Sequence, residues 1–535
     1  MTTNLFIILV LVSPLFFIGI AILSWFMSGL RPRKLILLSK ISIYLAVIVA
    51  LISGVIVYQF GLLESKSLDF NTIGFSIRLD ALSVLIFSMI NLISFIVMRF
   101  SFNYMDGDSR QGVFIGRLAA TIASVQLLVL AGNLGMLWIA WILTSISLHR
   151  LLLFYSGRRR SKLAARKKFI AARLSDLFLL GAIILLYNHF GTGNLEEIVV
   201  GLKNSSISLT PSIELAAVFI TLAAILKSAL FPTHAWLVEV METPTPVSAM
   251  LHAGLLNAGP FLVARMSFVM MEATYAPIVL IVFGGFTAVF GSIAYMTQSS
   301  VKTALGYSSI SHMGFSLLLC GFGIYAAAML HLVAHSFYKA HAFLSSGSFI
   351  DVRKASKIFL PKRNANPIVL IISILLAFVI FGTLAVLWGV NPIEELSLLV
   401  ISCIIVMGLS LLIGTAMGSL NSSKLIPRVF LMATLVALSF FSLETLMGTI
   451  LKSQIPAISQ PSAAVTVLLF FWLIVFAGLV LVQIFSPMFK KKGIWQKWSI
   501  HFRNGLYANV IYDRLVGALY VKTSKEDADL INGYD

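Results

Sequence analysis

Lys227, in the otherwise apolar run TLAAILKSAL, is the residue whose type and setting most plainly call for chemistry. An ionisable side chain at membrane depth is costly, so it marks a functional site with a partner to be found. The chemistry open to a lysine there is proton exchange. Pro232 follows five residues later, and its missing N–H and ring clash predict a helix break. Carbonyls freed by that break need protein or water around them, which places the lysine in a lined cavity. Pro244 and Pro246 extend the interruption, and His252 follows about two turns beyond Pro246 as a titratable neighbour.

A second group lies in AAMLHLVAHSFYKAHAFL, where His331, His335 and Lys339 recur at i, i+4 steps and share one helix face. Histidine titrates near neutral pH, as a proton relay requires. The stripe is expected to be a proton path, with structural packing as the alternative. Zinc competes, but two histidines without a third ligand make a poor site. His341 falls off the stripe and is expected to be structural, and His312 on the preceding span is a weaker candidate.

The elements that position these groups are membrane helices. The chain has 535 residues, 59% of them hydrophobic, and a mean hydropathy of +0.97. About fifteen apolar stretches approach the ~20 residues needed to span a bilayer. They fall near 4–27, 37–61, 80–100, 114–131, 134–155, 169–189, 212–230, 246–271, 277–297, 303–323, 325–349, 367–389, 395–418, 427–449 and 463–486. The fold class is therefore an all-α polytopic membrane protein. The first span lacks a basic leader and a small-residue cleavage site, so it is expected to be retained.

Net charge of +18 does not point to nucleic acid, because the basic residues cluster between spans. The positive-inside rule puts Arg31–Lys34 in the cytoplasm and the N-terminus outside. Strict alternation then places the run Arg158–Lys168, the loop Arg353–Arg363 and the C-terminal Lys490–Lys492 inside as well. Glu239 and Glu242 lie in a cytoplasmic turn, either as an inner proton entrance or as helix caps. Glu444, in the fourteenth span, has no evident partner. Cys320 and Cys403 sit in separate spans without a CxxC or Cys/His set, so no metal centre is expected in this chain. No phosphate loop or dinucleotide fingerprint is present, which argues against ATP or NADH binding.

The stretch KSALFPTHAWLVEVMETPTPVSAMLHAGLLNAGPFLVAR resembles the signature of the antiporter-like membrane subunits of respiratory complex I and the Mrp sodium/proton antiporters. Lys227, Glu239, Glu242, the PTPVSA box and His252 all stand at family positions. This resemblance implies two inverted five-helix repeats with broken helices. The expected organisation is helices 1–3 over 1–110, a first repeat over 111–272, a second over 273–420, C-terminal spans over 421–488 and a cytoplasmic amphipathic tail over 489–535. The second repeat's span VLIISILLAFVIFGTLAVLWGV lacks the lysine the family has there. The family pairs its first lysine with a glutamate in a W-E-L-T-S-I-S pattern, and here Ile142 stands in that place. Asp176, matching an R-x-x-D pattern, is the remaining counter-charge for Lys227, or else an i, i+3 partner of Arg173 that anchors a helix end. Lys302 matches a family lysine, or snorkels at the interface.

The missing glutamate, LHRLLLFY at 148–155, AARKKFI at 164–170 and the short C-terminal NGLYAN segment look like the DabB (MpsA) branch, the membrane subunits of inorganic-carbon uptake systems. That resemblance implies a non-enzymatic subunit of the cell inner membrane that passes H+ or Na+ to energise a soluble, DabA-like, carbonic-anhydrase-like partner on the cytoplasmic side. Zinc is then expected in the partner and no cofactor in this chain. The basic run Arg158–Lys168 and the tail Trp495–Tyr520 are expected to be exposed and able to dock it, or to serve as topology signal and membrane-surface helix. A proton/sodium antiporter or complex I subunit is the rival, distinguished by Ile142, and a non-conducting membrane anchor is the third possibility.

Overall fold

A computed structural model describes residues 2–155, 159–204, 210–240, 243–347, 367–391, 395–417, 422–489 and 493–519. Glu242, Arg158, the loop 353–363, Lys490–Lys492 and Tyr520 lie outside the described residues. The helices run α1 Thr2–Phe26, α2 Arg33–Phe60, α3 Ala81–Tyr104, α4 Gln111–Val129, α5 Leu134–Leu152, α6 Arg159–Phe190, α7 Leu195–Asn204 and α8 Pro211–Lys227. They continue with α9 Ala235–Glu239, α10 Thr245–Ala253, α11 Ala258–Arg265, α12 Ser267–Met271, α13 Tyr275–Thr297, α14 Val301–Gly321 and α15 Tyr325–Leu344. Helices Pro367–Leu387, Leu396–Met417, Ser422–Leu451 and Ala463–Phe489 follow, then tail helices Gly493–Arg503 and Ala508–Leu519.

Each predicted span overlaps a helix or, at 246–271, a run of short helices, and among the described residues 10 helices are long and apolar enough to cross a membrane. Their outer faces carry bare apolar side chains, with Phe26 80% and Tyr58 92% exposed. Such surfaces belong in lipid, where helices satisfy their own backbone groups. The chain is a multi-pass membrane protein. Small residues let the helices approach: a Cβ on Gly284 of α13 would lie 2.7 Å from the Gly314 carbonyl oxygen of α14.

Two antiparallel pairs, β1 Leu63–Glu64 with β4 Arg78–Leu79 and β2 Leu68–Phe70 with β3 Ile73–Phe75, cover the link from α2 to α3. Asp80 ends that link as the N-cap of α3, accepting from Ser83 N at 2.8 Å. Its carboxylate also meets Arg265 at the end of α11 and Arg78 Nε at 2.7 Å.

One expectation about the basic run and the tail is corrected. The basic run is not a loop: α6 begins at Arg159, ten residues before the predicted span start. Lys167 and Lys168 in it are buried rather than exposed. Lys167 can be buried because acceptors meet its ammonium: Glu239 Oε1 and Asn509 Oδ1, each at 2.6 Å, and Asp513. The tail is largely exposed, as expected, with Trp498 54% and Ile511 64% exposed, but its second helix packs against α6 and α9. Asn509 Nδ2 donates to Glu239 at 2.8 Å and Tyr512 Oη to the Lys167 carbonyl at 2.7 Å, so the tail helix closes over α6 and α9.

Candidate functional site

The site is built on an interruption that the chain makes twice. Helix α8 ends at Lys227 itself, so the break precedes Pro232 instead of starting at it. The following backbone turns through Ala229 at a φ of 54° and is satisfied by protein, with Phe231 N donating to Thr287 Oγ1 of α13 at 3.2 Å. Pro244 caps α10 and Pro246 lies in its first turn, where a missing N–H costs nothing. The next span then breaks again after His252: α10 stops at Ala253, and a 3₁₀ turn at Leu255–Asn257 leads into α11. This span is wholly enclosed by the other helices.

Lys227 reaches across to α5. Its ammonium donates to the Trp141 carbonyl at 2.8 Å, Thr144 Oγ1 at 2.8 Å and Ser145 Oγ at 2.7 Å, and lies 4.3 Å from the centroid of the Trp141 ring. Three donors thus find three oxygens, all in the segment where Ile142 stands. Lys168 Nζ donates to the carbonyl of the same Ser145, so two lysines from α6 and α8 converge on one residue. Asp176 does not close an ion pair with Lys227; it pairs with Arg173 at 2.7 Å, one turn away on α6. The i, i+3 alternative is the one realised, because the two side chains already share a helix face.

The second group is larger than the stripe read from sequence. His335 and Lys339 are buried on α15, and Lys339 Nζ donates to the Leu305 carbonyl of α14 at 3.1 Å. His312, across on α14, sits with Nδ1 3.1 Å from His331 Nε2 and with its ring centroid 4.5 Å from that of His335. His252 joins this side of the protein and not Lys227: its ring stacks on Phe343 of α15 at 4.4 Å, and both ring nitrogens lack hydrogen-bond partners. Lys302 Nζ donates to Thr245 Oγ1 at 3.1 Å, tying the starts of α14 and α10. His341 is exposed, and Glu444 is half-buried.

A seam of polar groups lies between the two groups. Ser228, next to Lys227, donates to the Leu256 carbonyl at 3.0 Å. Asn257, the next residue, donates to Ser336 Oγ at 2.7 Å, and Ser336 stands between His335 and Lys339 on α15. Gly259 permits this approach, since a Cβ there would lie 2.1 Å from Ser228 Oγ and 2.6 Å from the Ala224 carbonyl oxygen. Gly259→Ala must push α11 off α8, at a cost of about 1–3 kcal/mol. We expect a lower melting temperature and loss of transport together, read by thermal unfolding and an uptake assay on the same preparation.

The profile described as "NADH:quinone oxidoreductase/Mrp antiporter, TM" matches residues 131–420, more than half of the chain. The chain belongs to this family. A second profile, "NADH-Ubiquinone oxidoreductase (complex I), chain 5 N-terminus", matches residues 67–115. Among curated family members, the chain is 41% identical over 283 residues to the "Probable inorganic carbon transporter subunit DabB2" of Halothiobacillus neapolitanus, covering 53% of this chain and 51% of that one. It is 37% identical over 344 residues to the corresponding DabB of Hydrogenovibrio crunogenus, covering 64% of each. Against NADH-quinone oxidoreductase subunit L of Escherichia coli it is 33% identical over 283 residues, covering 53% and 46%. The match thus spans about half to two thirds of these relatives' length. Among solved structures, the Mrp complex from Dietzia sp. aligns over 97% of this chain and 61% of that one, at a TM-score of 0.62 and 22% identity, a likeness of fold. Lys227 stands at the end of the broken helix, and its oxygens come from α5 backbone and hydroxyls.

Several site residues were missed from sequence. Lys167 and Lys168 looked like topology signal, yet Lys168 and Asp176 are two turns apart and share a face once α6 is extended backward. Asn257 and Ser336 carry no charge and had no periodic signal to single them out.

Proposed function

We propose that this chain is the membrane subunit of an inorganic-carbon uptake complex, passing protons, or Na+, inward to energise a soluble zinc-bearing DabA-like partner at the cytoplasmic face. The observation that carries this is the set of polar groups between Lys227 and the His335–Lys339 stripe: beside Lys227, Ser228 donates to the Leu256 carbonyl, and Asn257 donates to Ser336, next to His335, inside an enclosed span where water can complete a route between them. Proton exchange at Lys227 has acceptors ready for its ammonium form. Lys168 on the same Ser145 makes simultaneous charging of both lysines unfavourable, the coupling that passes a proton onward. The relatives named as inorganic-carbon transporter subunits, at 41% and 37% identity, favour the carbon-uptake branch over the quinone-oxidoreductase branch at 33%.

The orientation follows the basic residues: N-terminus outside, tail inside the inner membrane. Lys167, Glu239, Asn509 and Asp513 then form the inner end, where the tail covers the glutamate expected to admit or release protons. Catalytic hydration belongs to the partner.

Growth rescue of a carbonic-anhydrase-deficient bacterium in ambient air, by this chain with its candidate partner, tests the assignment. Rescue by wild type, abolished by a protonophore and lost in His335→Ala at matched expression, is the expected result. Rescue that survives His335→Ala and the protonophore would leave the chain a membrane anchor. No rescue at all would return the antiporter assignment to first place.

A further inference from the structure

The structure supplies what the sequence lacked for a metal site: a third histidine. His331 and His335 lie one turn apart on α15, and His312 enters from α14. One ligand nitrogen from each lies within 4.8 Å of the others. Imidazole nitrogens sit about 2.0–2.1 Å from Zn2+, which separates two ligands on a tetrahedron by roughly 3.4 Å. The His312–His331 separation of 3.1 Å is already near that spacing, and the His335 nitrogen lies within 4.8 Å of both.

A second observation points into the cluster. His335 is 4% exposed, and neither of its ring nitrogens has a hydrogen-bond partner. An orphaned buried nitrogen is expensive, and a ligated cation removes that expense at one of the two. His312 and His331 are half-buried. We propose that His312, His331 and His335 bind a borderline divalent transition-metal ion, Zn2+ or Co2+. Three neutral imidazoles suit such an ion, and no carboxylate belongs to the cluster to favour Mg2+ or Ca2+. Three protein nitrogens leave a fourth tetrahedral position to water. Lys339, one turn further along α15, opposes the dication, so its protonation weakens binding.

Binding does not rest on the proposed transport role, but its consequence does. A nitrogen that ligates a metal cannot accept a proton, so an occupied triad closes the relay.

The test uses the full chain, purified without a histidine tag, titrated with Co2+ and then with competing Zn2+. We expect visible bands of tetrahedral Co2+ at stoichiometric metal, displaced by Zn2+. His312→Gln, His331→Gln and His335→Gln should each weaken binding at least about 100-fold, while His341→Gln leaves it unchanged and Lys339→Met tightens it. No stoichiometric binding by wild type, or undiminished binding in all three triad variants, overturns the site. Should the variants fail to fold, anomalous scattering from the Zn2+-loaded wild type decides: a peak among the three imidazoles supports the site and a peak elsewhere refutes it. Metal bound at the triad with uptake unaffected would keep the site and refute the relay.

Discussion

Lys227→Ala is expected to lower ion-coupled carbon uptake by about 100-fold or more, the scale on which a positioned proton-transfer group contributes. The fold should survive the change. Alanine leaves three acceptors behind, but Thr144 and Ser145 are hydroxyls that turn to the Trp141 carbonyl, which Thr144 Oγ1 already contacts at 2.8 Å. The stability cost is accordingly that of hydrogen bonds lost at the site, about 1–3 kcal/mol. Lys227→Arg separates charge from exchange. The guanidinium keeps the positive charge and can meet the same oxygens, but it does not release its proton at physiological pH. We expect it to fold and to fail in uptake. Full activity in Lys227→Arg would rule out proton exchange at this position and leave Lys227 a fixed charge, while a misfolded alanine variant would make it structural. Initial rates of labelled inorganic-carbon uptake, with melting temperatures on the same protein, separate these cases.

The membrane helices were legible because hydropathy acts over whole segments: spans near 212–230 and 246–271 follow from composition alone, and both fall on helices. The lysine was legible for the converse reason, a charge where burial is costly. What escaped was whatever depends on another element. Asp176 had two possible partners in sequence, and only the fold of α6 against α8 decides that Arg173 takes it. His312 lies 19 positions before His331, with a turn between, so no helical period relates them. The buried lysines 167 and 168 were disguised by company: in a run of seven basic residues, nothing local distinguishes the two that turn inward to Glu239 and Ser145. The break at Lys227 instead of Pro232 shows the same limit, since tertiary acceptors on α5 and α13 let the helix stop a turn early.

Asp80→Ala should be the most destabilising single change at the opposite end of the molecule, by about 3–5 kcal/mol. Asp80 is wholly buried between Arg265 and Arg78, and Arg78 passes the network on to Glu196 at 2.7 Å. Removing the carboxylate strands the buried Arg265 guanidinium, takes one carboxylate from Arg78, which keeps Glu196, and also deletes the N-cap of α3, worth about 1 kcal/mol by itself. Burial pushes the Asp80 carboxyl up, but the charges and hydrogen bonds of Arg265 and Arg78 outweigh it and hold the group well below the usual carboxylate range. A group depressed in the folded state contributes fully above its unfolded value of 3.8 and loses that contribution as pH falls toward the folded one. The wild type should therefore lose stability on acidification below about pH 4, and Asp80→Ala should lack that component. Thermal unfolding in detergent at a fixed scan rate, at neutral pH and in the acid range, checks both statements. A double-mutant cycle locates the cause: with Arg265→Ala the second loss should be much smaller than the first, because the stranded charge goes with it. Additive losses would mean that Asp80 acts through its cap alone. Arg265 ends α11, whose other end emerges from the 3₁₀ turn at Asn257, so this ion pair holds the far end of the very segment that carries the seam beside Lys227.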